Sequence, residues 1–201
     1  MIKAIETKYK GYRFRSRLEA RWAVFFETLG LDWGYEIEGY EITERRWSST
    51  DSKDHGEDVT FRYLPDFFIR DCKLFVEIKG QRPTEEEFAK CKTLADQAGR
   101  AVLVCWGLPY EHPSYLYAWD TTDSSGGTFE TWGTFLWPIS SATGLIVHAE
   151  RLREDRSIYL GADFTDEIYN LSCAPFNAKA GHFDWAVNAA RAARFEHGEK
   201  P

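Results

Sequence analysis

The chain lacks the sequence features that mark membrane proteins, secreted proteins and zinc-binding proteins. No stretch of its 201 residues approaches the roughly 18 uninterrupted apolar residues that a membrane-crossing helix requires. Residues 1–10 carry no apolar run, so we expect no signal peptide. The four cysteines show no C-x-x-C spacing and the five histidines are scattered, which argues against disulfides and a structural zinc ion. We therefore expect a cytoplasmic protein with free thiols and no membrane contact.

Basic residues are outnumbered by acidic ones, and they are concentrated at the start of the chain. The net charge is −7, yet residues 1–21 hold seven Lys or Arg against two Glu, a local charge of +5. Such a patch on an acidic body suits a surface that faces phosphate groups, although an ordinary solvated face is the alternative interpretation. The candidates for phosphate contact are Lys10, Arg13, Arg15, Arg17 and Arg21.

Residues 63–81 are the stretch around which the chain is organised. They form two apolar segments, typical of strands, with Asp66 in the first, Glu77 in the second and Lys79 two residues on. Because side chains alternate along a strand, Glu77 and Lys79 share one face and Ile78 lies on the other. Hairpin pairing could bring Asp66 beside them. This pattern indicates a site for a metal ion and a water, and the alternative is an exposed hairpin with a surface Glu–Lys pair.

Two predicted helices flank this stretch. Ser16 and Glu19 form an S-x-x-E capping pattern at the start of the first, and Thr84 with Glu87 repeats it at the start of the second. Capping already explains Glu19, but a carboxylate in the first turn could also hold or orient a metal ion. Residues 101–106 then form an apolar strand, so the order α-β-β-β-α-β predicts an α/β core with a central mixed sheet flanked by helices.

The sequence between the first helix and residue 63 predicts a strand followed by a loop. Residues 33–42 alternate apolar and acidic residues, which predicts a half-exposed strand broken at Gly39. Its solvent face would carry Glu36, Glu38 and Glu41. Residues 43–58 are polar and predict a mobile loop.

Composition changes after residue 106, which predicts three parts. Residues 1–106 would form the core, residues 107–183 an acidic, aromatic, β-rich insert, and residues 184–201 a C-terminal helix that packs back on the core. The strands expected in the insert are 115–119, 128–137 and 144–148. Arg191 and Arg194 of the last helix would add basic charge near the site.

Three motifs together resemble those of the PD-(D/E)xK nuclease superfamily. They are R-S-R-L-E-A-R-W at 15–22, L-P-D-F at 64–67 and V-E-I-K-G-Q at 76–81. The chain is most similar to small phage and prophage members with an R-S-x-x-E helix and an A-A-R-x-A-R-F-E tail, here Ala189 to Glu196. The resemblance covers 11–106 well and 184–197 more weakly, and 107–183 lies outside it.

The resemblance implies a restriction-endonuclease-like core and a metal-dependent phosphodiesterase. Asp66 and Glu77, aided by the Ile78 carbonyl, would bind Mg²⁺, with Mn²⁺ as a substitute, and Glu19 would complete the coordination or support it. Lys79, with a pKa lowered by its surroundings, would position or help deprotonate the attacking water. Gln81 would orient water or phosphate.

The expected activity is that of a DNA endonuclease of phage or mobile-element origin, in the host cytoplasm if phage-encoded. DNA is favoured over RNA as the nucleic acid. Related folds often dimerise to cut two strands, so a homodimer is one expectation of the resemblance. The alternative function is a binding or inhibitory module that keeps the nuclease fold and acts on a protein partner through residues 107–183.

Overall fold

The computed structural model describes residues 4–47, 56–70, 73–109, 111–112, 114–120, 127–133, 136–138, 145–147, 171–172 and 182–195. Its three helices are α1 (Arg17–Thr28), α2 (Glu85–Ala98) and α3 (His182–Ala192). Its strands are β1 (Thr7–Tyr9), β2 (Tyr12–Phe14), β3 (Trp33–Tyr35), β4 (Tyr40–Trp47), β5 (Gly56–Tyr63), β6 (Phe67–Ile69), β7 (Leu74–Lys79), β8 (Val102–Trp106), β9 (Ser114–Asp120), β10 (Gly127–Gly133), β11 (Leu136–Pro138), β12 (Leu145–Val147) and β13 (Leu171–Ser172).

A six-stranded mixed sheet forms the centre of the fold, in the order β10-β9-β8-β7-β6-β3. β6 and β7 pair antiparallel, whereas β7 and β8 are parallel and are connected through α2. The other neighbouring pairs are antiparallel. A hairpin followed by a helical crossover requires this combination of directions. The predicted α/β class with a mixed sheet is therefore confirmed.

Two hydrophobic layers cover the sheet. On one face, α1 and α3 pack over side chains that include Val76 and Ile78 of β7. On the other face, α2 and Ile42 of β4 pack over Phe75 and Val102. Because alternate residues of β7 belong to opposite layers, every residue from Leu74 to Ile78 is buried. The charged Glu77 is thus embedded between apolar neighbours.

Helix α1 has well-defined ends that the local sequence explains. The Ser16 side chain accepts a hydrogen bond from the Glu19 N–H at 3.1 Å, as the capping pattern predicts. At the other end, Gly30 has a φ of +73° and donates to the Glu27 carbonyl, while the Leu31 N–H donates to the Phe26 carbonyl. This pair of bonds is a Schellman motif, which favours glycine because of the positive φ.

Helix α2 carries the complete capping box. The Thr84 hydroxyl accepts from the Glu87 N–H, and the Glu87 carboxylate accepts from the Thr84 N–H at 2.8 Å. The helix ends at Gly99, whose φ is +58°. These bonds fix the first turn of α2, and with it the carboxylate of Glu87, beside the end of β7.

The predicted loop at 43–58 is wrong where the structure describes it. Residues 43–47 belong to β4 and residues 56–58 to β5, which pair antiparallel from Tyr40 opposite Tyr63 to Trp47 opposite Gly56. Polar residues alternate on this two-stranded ribbon, and Arg45 faces Asp58 across it. Backbone pairing along eight positions builds such a ribbon without an apolar run, which explains why hydrophobicity did not reveal it.

The strands after residue 106 partly match the expectations. β9 and β10 form a hairpin that continues the central sheet beyond β8, and β11, β12 and β13 form a separate three-stranded sheet. The expected strand at 128–137 corresponds to two strands, β10 and β11. Much of the 107–183 segment lies outside the described residues. Within the described part of the chain, no helix has the length and apolar character needed to cross a membrane.

Candidate active site

Three buried carboxylates lie near one end of the central sheet. Asp66, Glu77 and Glu19 are 2%, 4% and 7% exposed, respectively. Asp66 immediately precedes β6, which pairs with β7 so that Phe67 lies opposite Val76, and this register brings Asp66 to Glu77. Glu19 comes from the first turn of α1. The hairpin pairing considered from the sequence is therefore observed, and it concentrates negative charge in a buried region.

Asp66 is held by one donor from each side of the site. Its Oδ2 accepts from the Ile78 N–H at 2.7 Å, and its Oδ1 accepts from the Arg15 guanidinium. Burial, followed by the charges of Glu77 and Glu19, raises the pKa of Asp66 well above its usual value, against the lowering effects of the Ile78 N–H and Arg15. The carboxylate therefore lies where an additional positive charge would be stabilising.

Glu19 combines helix capping with a place in the site. Its Oε1 accepts from the Ser16 hydroxyl at 2.7 Å, and its Oε2 accepts from the Arg15 N–H at 3.1 Å and from the Tyr35 hydroxyl. In an ordinary capping box the glutamate would bond to the N–H of the N-cap residue. Here it bonds one residue earlier, so the carboxylate is turned towards β3 and Asp66. Both roles considered for Glu19 are thus compatible with its position.

Glu77 and Lys79 form an ion pair on the α2 side of the sheet. Lys79 Nζ lies 2.8 Å from Glu77 Oε1 and 3.7 Å from Glu87 Oε1. The second oxygen of Glu77, Oε2, is buried and has no hydrogen-bond partner among the residues that the structure describes. Such an unsatisfied buried carboxylate oxygen is costly, and an ion or water bonded to it would offset that cost.

The expectation of a lowered pKa for Lys79 is wrong for this arrangement. Burial acts to lower the pKa, but the charge of Glu77, its hydrogen bond and the charges of Asp66 and Glu87 together raise it. Lys79 is therefore a protonated donor and a positive charge rather than a base.

The raised pKa of Asp66 predicts that Asp66→Asn stabilises the fold at neutral pH. A carboxyl whose pKa is higher in the folded state contributes stability below its unfolded pKa, and that stability is lost as the pH rises through its folded pKa. Asparagine does not ionise, so in EDTA the melting temperature at pH 7 should rise. Each kcal/mol of added stability corresponds to about 2–4 °C in a chain of this size. The gain should shrink as the pH approaches 4.

Thermal unfolding followed by circular dichroism between pH 4 and 8 tests this. Asp58→Asn is the matched control, because the Asp58 side chain is 62% exposed on β5. It should leave the melting temperature nearly unchanged at each pH. A lower melting temperature for Asp66→Asn across the whole range would contradict the unfavourable burial of the Asp66 charge beside Glu77 and Glu19.

The predicted phosphate-binding residues have different surroundings. Lys10 and Arg13 are exposed and form ion pairs with Glu27 and Glu6, so part of the positive charge at the start of the chain is neutralised. Arg15 instead contacts the site. The guanidinium of Arg21 donates to the Ala193 carbonyl at 3.3 Å, near the end of α3. Arg17 lies in the first turn of α1.

The structure also describes Gln81 and the C-terminal helix. Gln81 is exposed in the bend that follows β7. α3 packs on α1 through Ala186, Val187 and Ala190, as expected for a C-terminal helix that returns to the core. Arg191 donates to the Pro109 carbonyl at 3.5 Å.

Sequence reasoning missed three residues that shape the site. Tyr35 donates to Glu19, Glu36 forms an ion pair with Arg15 at 2.7 Å, and Glu87 approaches Lys79. Glu36 was expected on a solvent face. Instead it is partly buried, and its carboxylate faces the guanidinium of Arg15. The capping pattern of Glu87 was visible in the sequence, but its proximity to Lys79 depends on the packing of α2 against β7.

The site offers donors for a hard divalent cation, although it is not arranged as a finished metal centre. Within the described residues, no three Asp, Glu, His or Cys side chains are grouped to hold a metal ion. Each of the three carboxylates instead accepts a hydrogen bond from a side chain of the protein, namely Asp66 from Arg15, Glu19 from Tyr35 and Glu77 from Lys79. The unpartnered Glu77 Oε2 and the repulsion between Asp66 and its acidic neighbours nevertheless fit a cation with oxygen ligands.

Comparison with known proteins gives no independent identification. No family model matches the chain, and no curated protein or solved structure matches it either.

Proposed function

We propose that this protein is a metal-dependent nuclease that hydrolyses phosphodiester bonds, with DNA as its favoured substrate. The observation that carries the proposal is the buried pair Asp66 and Glu77 at the end of one hairpin, with Lys79 beside them and one Glu77 oxygen unpartnered. A structural hairpin has no need to bury two carboxylates together, because desolvating them costs free energy. The presence of two charged side chains in an apolar layer is explained if they bind a ligand.

The carboxylates would hold a divalent cation, Mg²⁺ or Mn²⁺. Asp66 and Glu77 are the principal candidates, with the Ile78 carbonyl beside them and Glu19 as support. When bound, such an ion supplies positive charge to a phosphate oxygen and lowers the pKa of a coordinated water. The protein contributes a rigid platform, because Asp66 is fixed by the Ile78 N–H and Glu19 by its capping bonds.

Lys79 would act as a positioned cation. Its side chain is 29% exposed, so the ammonium group can reach a ligand while it stays paired with Glu77 and Glu87. A protonated lysine can donate a hydrogen bond to the attacking water or to a phosphate oxygen and offset the negative charge of the transition state. This role agrees with its raised pKa.

Glu77→Gln is the variant that tests the proposal most directly. Purified protein would be incubated with supercoiled plasmid and with a branched synthetic DNA, in Mg²⁺, in Mn²⁺ and in EDTA. We expect cleavage in either metal, none in EDTA, and a loss of at least about 100-fold in the variant, because a metal ion at such a site supplies several kcal/mol. Glutamine keeps the shape of Glu77 and removes its charge.

Glu86→Gln provides the control for that experiment. Glu86 lies on α2, its side chain is 62% exposed and it pairs with Lys90 at 2.9 Å, so it keeps a Glu–Lys pair outside the site. Its cleavage should equal that of the wild type. Metal-independent cutting, or full activity in Glu77→Gln, would overturn the proposal.

One observation favours a second candidate, the binding module with a nuclease fold. Arg15 and Lys79 already neutralise Asp66 and Glu77 internally, as they would in a buried polar cluster without a ligand. In that case the protein would act on a protein partner through residues 107–183. Absence of cleavage of DNA and of RNA, together with a partner lost on deleting that segment, would favour this candidate.

A further inference from the structure

Arg15 makes two ion pairs that connect the surface of the site to its interior. Its guanidinium bonds to the buried Asp66 and, through Nε, to Glu36 at 2.7 Å. The Asp66 side chain is 3% exposed, whereas the Arg15 side chain is 55% exposed. Asp66 is therefore enclosed by the protein, whereas more than half of the Arg15 side chain already faces solvent.

The backbone of Arg15 is anchored independently of its side chain. The Arg15 N–H donates to Glu19 Oε2 and to the Tyr35 hydroxyl, each at 3.1 Å. Glu36 is held as well: its N–H donates to the Asp66 carbonyl at 2.9 Å, and its φ of +47° is a costly conformation for a residue other than glycine. The guanidinium thus extends from a rigid base and lies between two acids that the backbone places on either side of it.

A divalent cation and Arg15 would compete for the same carboxylate oxygen. Asp66 has one oxygen on the Ile78 N–H and the other on Arg15, so a cation that binds Asp66 must share or replace the guanidinium. Two positive groups at one oxygen repel each other. A displaced guanidinium can bind a phosphate group, because its planar donors match the phosphate oxygens.

We propose that Arg15 is an exchangeable counter-ion: its guanidinium neutralises Asp66 while no divalent cation is bound, and moves to a phosphate of the nucleic acid when a cation takes that carboxylate. This inference rests on the proposed function, because it assumes the same cation and substrate. The cation and the nucleic acid then favour each other's binding, because the cation releases the Arg15 guanidinium and the nucleic acid binds it. The protein would bind nucleic acid productively only with the metal in place.

Binding of Mn²⁺ alone provides the decisive test, because the sign of the effect separates exchange from simple support. Free Mn²⁺ would be measured by electron paramagnetic resonance in titrations of the wild type, Arg15→Gln and Arg45→Gln. Removing a competitor should tighten Mn²⁺ binding by roughly tenfold in Arg15→Gln, which corresponds to about 1.4 kcal/mol. Arg45 is 52% exposed on β4 and pairs with Asp58, so its variant should bind Mn²⁺ like the wild type.

Weaker or unchanged Mn²⁺ binding in Arg15→Gln would overturn the exchange, since a residue that merely supports the site would weaken binding when removed. Thermal unfolding of each variant verifies that it is folded. Should Arg15→Gln not fold, Arg15→Lys replaces it: lysine keeps the charge but does not reproduce the two-sided contact of the guanidinium, so a smaller tightening is expected.

Nucleic-acid binding gives the second readout. Fluorescence anisotropy of a short labelled DNA duplex would be compared in Ca²⁺ and in EDTA, since Ca²⁺ is a hard cation with oxygen ligands like Mg²⁺. Ca²⁺ should tighten DNA binding more in the wild type than in Arg15→Gln, and equal tightening would contradict a phosphate contact by Arg15.

Glu77→Gln separates failure of this inference from failure of the proposed function. If the wild type and Arg15→Gln both fail to bind Mn²⁺, or if binding is the same in Glu77→Gln, the metal site and the exchange fall together. If Mn²⁺ binding depends on Glu77 but is not tightened in Arg15→Gln, only the exchange is wrong.

Discussion

Lys79→Ala should reduce DNA cleavage by about 1000-fold, which would place it below detection in a gel assay. The basis is the position of Nζ, which lies 2.8 Å from Glu77 and is the ammonium group nearest the buried carboxylates in the described structure. Positioned donors that stabilise developing charge typically contribute about 100- to 1000-fold, and proton-transfer groups contribute on a similar scale. Initial rates on supercoiled plasmid in Mn²⁺ would measure the effect.

Lys90→Ala is a closely matched control for this variant. The Lys90 side chain is 30% exposed against 29% for Lys79, and each lysine pairs with one glutamate at 2.8–2.9 Å. Lys90 lies on α2 above the Phe61 ring rather than beside the carboxylates. Its removal should leave cleavage within about twofold of the wild type, within the effect expected for an exposed ion pair.

Two further results would decide how Lys79 acts. Removing the ammonium leaves Glu77 buried beside one positive partner fewer, so the folded state of Lys79→Ala must be verified by circular dichroism. Lys79→Arg keeps the charge in a different geometry and should retain partial activity. Wild-type rates in a folded Lys79→Ala protein would remove this site from consideration as the catalytic centre.

Phe67→Ala should cost about 3–5 kcal/mol of unfolding free energy, the largest stability effect that we predict. Phe67 is 1% exposed, follows Asp66 directly and pairs with Val76 in the β6–β7 ladder. Its ring contacts four aromatic rings with centroids 5.2–6.1 Å away, those of Phe14, Phe26, Trp33 and Tyr35. Truncation removes these contacts and leaves a cavity that a rigid cluster cannot fill.

Urea unfolding followed by tryptophan fluorescence measures this loss, because Trp33 is one of the contacting rings. Phe61→Ala is the comparison: Phe61 is a half-buried residue of β5 and should lose appreciably less stability. A loss below about 1 kcal/mol in Phe67→Ala would mean that β6 does not anchor the core and that Asp66 lacks the support described here.

The sequence predicted those features whose signal lies within a few neighbouring residues. The Ser16 and Thr84 caps were visible because capping involves positions only three apart. The two apolar segments within residues 63–81 predicted the hairpin that brings Asp66 to Glu77. The helix between two apolar strands predicted the parallel pair β7 and β8. Each of these features was found in the described structure.

Features that depend on distant parts of the chain were missed. The ribbon of β4 and β5 is held by the backbone pairing of the two strands and by packing against α2, and Gln97 of α2 bonds to the backbone of Thr43. The contact of Arg15 with Asp66 joins residues 51 positions apart. The pKa of Lys79 was misjudged because the charge and hydrogen bond of Glu77, with smaller effects of Asp66 and Glu87, outweigh the effect of burial. No local pattern reports such contacts, because tertiary packing decides them.

The pairing of α1 with α3 has a consequence for how the protein is made. Thr28 ends α1 and His182 begins α3, 154 positions later, yet Ala186 and Ala190 are fully buried in the same layer as Trp22 and Phe26. During synthesis the part of α1 that packs on α3 therefore stays exposed until α3 has left the ribosome. Contacts between such distant segments slow folding, and they delay completion of the layer that holds Glu19 in place. In a nascent chain, the acidic residues of the site and the basic residues at 1–21 would be synthesised long before the packing that completes the site could form.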